Sequence, residues 1–166
     1  VGGEVTVNGI NLDSLQGDKE IVELLRRFGA EISVGKNCVT AKKSHLKGIT
    51  VNASQTPDLV PVLAVAASFA EGETLIHNAE RLRIKESDRL RETAARLKAF
   101  GINVTETADG LKIIGGKPQG TDITSANDHR IVMAFSVMAA YSNGDSSIEN
   151  AEAINKSYPL FFTLLG

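Results

Sequence analysis

From Asp18 the chain reads DKEIVELLRRFG, and its apolar residues Ile21, Leu24, Leu25 and Phe28 recur at the spacing of a single helical face. Gly29 follows, free to adopt the left-handed backbone that closes a helix, so the pattern predicts a helix over Asp18–Phe28. Around it lie short stretches rich in valine, isoleucine and threonine, EVTV before and EISV and CVTA after, which predict strands. GITV adds another strand and leads to a helix predicted over Leu59–Ala70. The same order then returns as TLIH, a helix after Lys85 with Leu90, Ala94, Ala95 and Leu97 as its apolar side, NVTE, LKII, TDIT and a helix over Arg130–Tyr141.

The return is visible in the letters as well as the pattern. FGAEISV at Phe28 reappears as FGINVTE at Phe100, AEG ending at Gly72 as SNG ending at Gly144, and HNAE at His77 as ENAE at Glu149, each 72 residues further on. A period of that length signals duplicated supersecondary units that share a core. The expected organisation is one α/β domain over residues 1–166, with repeats at about 1–72 and 73–144 and a partial third at 145–166.

Composition narrows the function classes. With 42% hydrophobic residues in 166, the chain is long enough to bury a core. The longest apolar run, VPVLAVAA, is too short to span a bilayer, and VGGEVTVNG lacks the pattern of a signal peptide. Lys and Arg total 18 against 20 Asp and Glu, with signs mixed along the chain, so no basic stripe points to nucleic acid. The lone Cys38 forms no disulfide framework, and His45, His77 and His129 are too scattered for a metal site. The cytoplasm is the expected setting.

Charge concentrates where helices are predicted to begin: TPDLVP at Asp58, KESDR at Lys85, NDHR at His129 and NKSYP at Lys156. Two readings stand side by side. Asp58, Asp88 and Asp128 suit N-caps, and Glu86 with Arg89 suits an exposed ion pair worth about 0.3 kcal/mol. Capping leaves Lys85, Arg89, Arg130 and Lys156 unexplained, because cations are disfavoured at the positive end of a helix dipole. An anionic ligand would remove that cost, with His129 beside Arg130 as a further contact.

RIKESDRL, NDHRIVMAFSVMA and NKSYPLFF, in this order, resemble the signature segments of the 5-enolpyruvylshikimate-3-phosphate (EPSP) synthase family, the 3-phosphoshikimate 1-carboxyvinyltransferases. GGEVTVNGINLDSLQGD and TPDLVPVLAVAASFAEG extend the resemblance over nearly the whole chain. It implies the C-terminal portion of a two-domain protein whose domains are built from repeated βαβαββ units, helices inside and sheets outside, here truncated. The missing N-terminal domain would be its partner, and an uncovered strand edge or apolar groove is expected.

The implied reaction transfers the enolpyruvyl group of phosphoenolpyruvate to the 5-hydroxyl of shikimate 3-phosphate and releases phosphate, and it uses no metal or organic cofactor. By motif position, Asp58 contacts the shikimate substrate and takes the hydroxyl proton, Glu86 shuttles the methylene proton, and Lys85 holds the shikimate part. Arg89, Arg130 and Lys156 clamp phosphoenolpyruvate, Lys156 doubles as a proton donor, and His129 supports the clamp. Arg81 stands where some members carry a substrate-binding Asn, so that role is not transferred. A UDP-N-acetylglucosamine enolpyruvyl transferase and a non-catalytic anion-binding module are the alternative readings. RNA 3′-phosphate cyclase, of the same fold class, lacks support because no basic groove is evident. The isolated chain is expected to bind anions weakly and not to turn over.

Overall fold

The computed structural model describes residues 3–165, so the ends of the expected domain, residues 1–2 and 166, lie outside the described residues. In chain order the elements are β1 (Glu4–Asn8), α1 (Ile21–Arg27), β2 (Glu31–Val34), β3 (Cys38–Lys42) and β4 (Thr50–Asn52). They continue as α2 (Val60–Ser68), β5 (Glu73–His77), α3 (Arg89–Ala99), β6 (Asn103–Glu106) and β7 (Leu111–Ile114). β8 (Asp122–Thr124), α4 (His129–Tyr141), β9 (Ser147–Glu149) and α5 (Phe161–Leu165) complete the set. Short 3₁₀ turns at Gly17–Glu20, Pro57–Leu59, Glu80–Ile84 and Ala151–Lys156 lie between them.

The centre is set by the most apolar helix. VPVLAVAAS in α2 is hydrophobic around its circumference, which leaves it no face for water, and seven of its nine residues are buried. α3 packs against it through Leu90, Ala94 and Leu97, and α4 through Ile131, Ala134, Phe135 and Met138. Phe100 and Phe135 stack with centroids 6.1 Å apart where α3 ends against α4.

Sheets lie outside these helices. One has strand order β4-β5-β7-β6, and with α2 and α3 it forms a complete βαβαββ unit. Its strands alternate as a one-sided sheet must: Thr74, Ile76, Leu111 and Ile113 are buried, whereas Glu73 and Lys112 face water. A three-stranded sheet, β1-β3-β2, and a parallel pair, β8-β9, flank it as incomplete versions. Inner helices and outer sheets in repeated βαβαββ units are therefore the architecture.

The 72-residue offset governs the hydrogen-bond register. Thr50, Val51 and Asn52 pair in parallel with Leu75, Ile76 and His77, just as Asp122, Ile123 and Thr124 pair with Ser147, Ile148 and Glu149. Glu31 opposes Lys42 as Asn103 opposes Ile114. FGAEISV and FGINVTE each end a helix and enter the outer strand of an antiparallel pair, with Gly29 and Gly101 turning at φ 96° and 79°. Hydrogen-bonded sheets cut this periodic array between β3 and β4 and between β7 and β8, a different phase from the letter repeats.

Helix ends are shorter than the apolar pattern predicts. Residues 17–20 and 57–59 form 3₁₀ turns before α1 and α2, neither preceded by a side-chain cap, and Pro61 sits in the first turn of α2. Ala95, expected on the apolar side of α3, is exposed, and Arg89 and Thr93 are buried instead. Arg27 Nη2 donates to the Thr50 carbonyl at 2.6 Å and Arg96 Nε to the Thr124 carbonyl at 3.0 Å, so each preceding helix satisfies an open strand edge. Val5 and Val7 are 61% and 51% exposed on the apolar side of β1, as are Leu160 and Leu164 near the last helix at 64% and 68%. Among the described residues no helix is long and apolar enough to cross a membrane.

Candidate active site

Arg89 is the first residue of α3 and its side chain is 1% exposed. A buried guanidinium is tolerated only with partners, and this one has three carboxylates. Nε donates to Asp128 Oδ2 at 2.7 Å, Nη1 to Asp58 Oδ1 at 2.8 Å and Nη2 to Glu86 Oε2 at 2.6 Å. Nη2 also lies 3.3 Å from Asp128 Oδ1. One side chain thus gathers the starts of α3 and α4 and the turn before α2.

Asp128 is fully buried and carries two duties. It caps α4, its Oδ1 accepting from the Arg130 amide at 2.9 Å, while Oδ2 accepts from Arg89 and from Ser87 Oγ at 3.0 Å. Burial pushes its carboxyl up, but the hydrogen bond and charge of Arg89, with the Arg130 amide and Ser87, outweigh burial and hold it below the ordinary value. Asp88 likewise caps α3 through the Arg91 amide at 3.1 Å.

Asp58 does not cap. The N-cap position of its turn is Thr56, which makes no side-chain cap bond, and the Asp58 carboxylate points instead at cations. Besides Arg89, Arg130 Nη2 lies 3.2 Å from Oδ2 and Lys85 Nζ 3.5 Å from Oδ1. The capping alternative is overturned here because three positive side chains compete for the carboxylate more strongly than one backbone N–H would.

Two cavities meet at Asp58. The larger, about 520 Å³, is lined by Asp18, Ser54, Gln55, Asp58, Arg81 and Lys85. The smaller, about 190 Å³, lies between α2 and α4 against Pro61, Val62, Arg130 and Met133. Arg130 bridges toward both, its Nη2 also 3.9 Å from Asp18 Oδ2.

Lys156 reaches the loop before α4. Its Nζ donates to the Asn127 carbonyl at 2.9 Å and to Asn127 Oδ1 at 3.1 Å. Ala126 and Asn127 both hold left-handed backbone, φ 51° and 56°, immediately before Asp128, and such conformations in non-glycine residues mark constrained turns. His129, first in α4, has a buried Nδ1 without a hydrogen-bond partner among the described residues.

The structure therefore draws Asp58, Lys85, Glu86, Arg89 and Arg130 into one network, with His129 and Lys156 on its border. Two details differ from the sequence reading. Lys85 follows a 3₁₀ turn and Lys156 closes one, so the helices that start at the site are α2, α3 and α4 and none starts at Lys156. Arg89 offsets its position at a helix start through internal carboxylates and is not open to solvent. Asp128 and Ser87 carry more than sequence suggested: the 39-residue separation of Arg89 from Asp128 leaves no local pattern to read.

A family profile described as EPSP synthase (3-phosphoshikimate 1-carboxyvinyltransferase) matches residues 1–165. The chain belongs to the EPSP synthase family. The 3-phosphoshikimate 1-carboxyvinyltransferase of Methanopyrus kandleri is 44% identical over 163 residues, covering 98% of this chain and 38% of that protein. That of Clostridium novyi is 45% identical over 163 residues, with 98% and 38% covered. Among solved structures, EPSP synthase from Acinetobacter baumannii superposes with a TM-score of 0.86 at 34% identity, covering 98% of this chain and 41% of that one. The enolpyruvyl transferase NikO from Streptomyces tendae gives a TM-score of 0.76 at 25% identity, covering 98% and 38%. The chain thus spans about two fifths of the length of the EPSP synthases it matches, where the profile extends from β1 through α5 and includes every residue of the network around Arg89.

Proposed function

We propose that this chain supplies the C-terminal part of an enzyme that joins phosphoenolpyruvate to the 5-hydroxyl of shikimate 3-phosphate. The observation that carries the proposal is the placement of two carboxylates, Asp58 and Glu86, on one buried arginine beside a cation-bordered cavity of about 520 Å³. Family membership supports the reaction class.

Asp58 accepts the proton of the 5-hydroxyl as its oxygen bonds to C2 of phosphoenolpyruvate, and Glu86 governs the proton that reaches the methylene carbon. The product of that addition is a tetrahedral intermediate. Expulsion of phosphate, with return of a proton from the new methyl group, restores the enol double bond. Lys85 binds the shikimate substrate, while Arg130, Lys156 and Arg89 hold phosphoenolpyruvate, with Lys156 also donating a proton and His129 backing the clamp. The second, N-terminal domain of the same protein closes the cleft. The free, partly buried Cys38 accords with a reducing, cytoplasmic setting.

Phosphate release from the two substrates, assayed for the full-length protein and for the 166-residue chain in parallel, tests the proposal. Turnover by the former and none by the latter is expected. Full-length protein that fails on shikimate 3-phosphate but accepts UDP-N-acetylglucosamine would reassign the acceptor.

A further inference from the structure

Lys85 and Glu86 are exposed and sit between a 3₁₀ turn and α3, with Lys85 in extended backbone at φ −86° and ψ −160°. No helix or strand carries them. Their place is set by what grips the segment on each side. On the inner side Ser87 and Arg89 bind Asp128. On the outer side stands Arg83, a residue no part of the proposed chemistry uses.

Arg83 spends its whole guanidinium on the turn between β6 and β7 and on the start of α3. Nε donates to the Ala108 carbonyl at 3.0 Å and Nη2 to the Thr107 carbonyl at 2.7 Å. Nη1 reaches Glu106 Oε1 at 2.7 Å and Asp88 Oδ2 at 3.0 Å, and Asp88 is the cap of α3. The β6–β7 turn is itself a firm support. Asp109 accepts from the Asn78 amide through Oδ2 at 2.9 Å and from the Ala79 amide through its carbonyl at 2.7 Å, and Thr107 N donates to the Gly110 carbonyl at 2.9 Å. One hairpin turn thus holds both ends of the 3₁₀ segment that delivers Lys85 and Glu86. Leu82 is buried beside it, but Ile84 is 86% exposed, so packing gives the last step toward Lys85 little help.

We propose that Arg83 is a positioning residue: a strut between the β6–β7 turn and the α3 cap that fixes Lys85 and Glu86 over the substrate cavity. Only a planar fork reaches this set of acceptors together; a lysine ammonium keeps the charge and cannot span them. The kinetic consequence rests on the function proposed above, whereas the anchoring itself does not.

The test is Arg83→Lys in the full-length protein, with Glu106→Gln and the double variant. Turnover should fall by roughly 10- to 100-fold, because small displacements of reacting groups cost that much. The KM for shikimate 3-phosphate should rise and that for phosphoenolpyruvate should hold, since Arg130 and Lys156 hang from other elements and Arg89 is held independently by Asp58 and Asp128. Glu106→Gln should shift the same constants less, and the double variant should be no worse than Arg83→Lys alone. ¹⁵N relaxation at the Lys85 and Glu86 amides gives a readout independent of turnover, with nanosecond motion expected in Arg83→Lys and rigidity in the parent. An active parent whose constants are unmoved by Arg83→Lys overturns the proposal, as do equally rigid amides or a uniform rise of both KM values with a lowered melting temperature. If the parent does not turn over these substrates at all, the proposed function fails, and loosened amides still support the strut.

Discussion

Arg89 Nε and Asp128 Oδ2 lie 2.7 Å apart with side-chain exposures of 1% and 0%, joining the first residue of α3 to the cap of α4. Removing one partner of such a pair strands the other in a place water cannot reach. Asp128→Ala should therefore cost about 3–5 kcal/mol in urea unfolding, the range for broken buried pairs. Asp128→Asn should cost less, because an amide oxygen still caps α4. A cost for Asp128→Ala of under about 1 kcal/mol, typical of surface pairs, would contradict the burial argument.

The same carboxyl predicts a pH dependence. Its folded value is held below the ordinary one, so between about 3.9, the unfolded value, and the lower folded value the unfolded chain binds more protons. Stability from this group is complete above that window and is lost as pH falls through it. The parent should lose stability on acidification below about pH 4, and Asp128→Asn should give a flatter curve there. Parallel curves would assign the acid response to other groups.

Asp58 is tested by removal of its charge. Asp58→Asn leaves Lys85, Arg89 and Arg130 facing one another without the carboxylate that separates them. In the full-length protein, turnover should fall by roughly 10²-fold or more if this carboxylate is the base. Inorganic phosphate should raise the melting temperature of the variant more than that of the parent, since an added anion replaces the lost one. Equal phosphate responses would show that the three cations do not share a site.

Much of this was legible in the sequence, and the reason is periodicity. The 72-residue repeat carries both strand register and the glycine turns, because identical supersecondary units must pack identically to share a core. KESDR and NDHR are segments that meet in the network around Arg89. What local pattern could not supply was which charges meet. Asp58 looks like a cap on spacing alone, and Arg89 looks exposed beside Glu86, yet both are decided by Asp128 and Arg130 from another helix. Arg83 was silent for the same reason: apart from Asp88, its acceptors lie 23 to 25 residues away, at the end of β6 and in the turn that follows it.

Glu86 separates chemistry from pairing. Its side chain is 44% exposed and its bond to Arg89 is one of several that arginine makes, so Glu86→Gln should change folding stability by less than about 1 kcal/mol. Turnover should nevertheless drop by roughly 10²-fold or more in the full-length protein, since a glutamine amide has no titratable proton to accept and return. Unchanged turnover would return Glu86 to the role of an ion-pair partner.

The chain alone should bind inorganic phosphate and phosphoenolpyruvate weakly. Arg130 and Lys85 reach one carboxylate at 3.2 and 3.5 Å, and an incoming anion competes with that carboxylate for both. Such an exchange releases little net electrostatic energy, and what it does release is screened by salt with a Debye length of about 8 Å at physiological ionic strength. Titration of the 166-residue chain followed by amide shifts should show changes at the start of α4, weakening with added sodium chloride and lost in Arg130→Ala. Catalysis asks for more than an anion site. Holding two substrates in attacking geometry contributes as much as about 7–11 kcal/mol of barrier reduction, and a cavity open on one side does not exclude water or fix both reactants. Supplying the remaining part of the protein in trans should therefore tighten phosphoenolpyruvate binding and restore some turnover together. Shift changes that persist in Arg130→Ala would move the anion site elsewhere, and robust turnover by the chain alone would mean that the complete catalytic site lies within these residues.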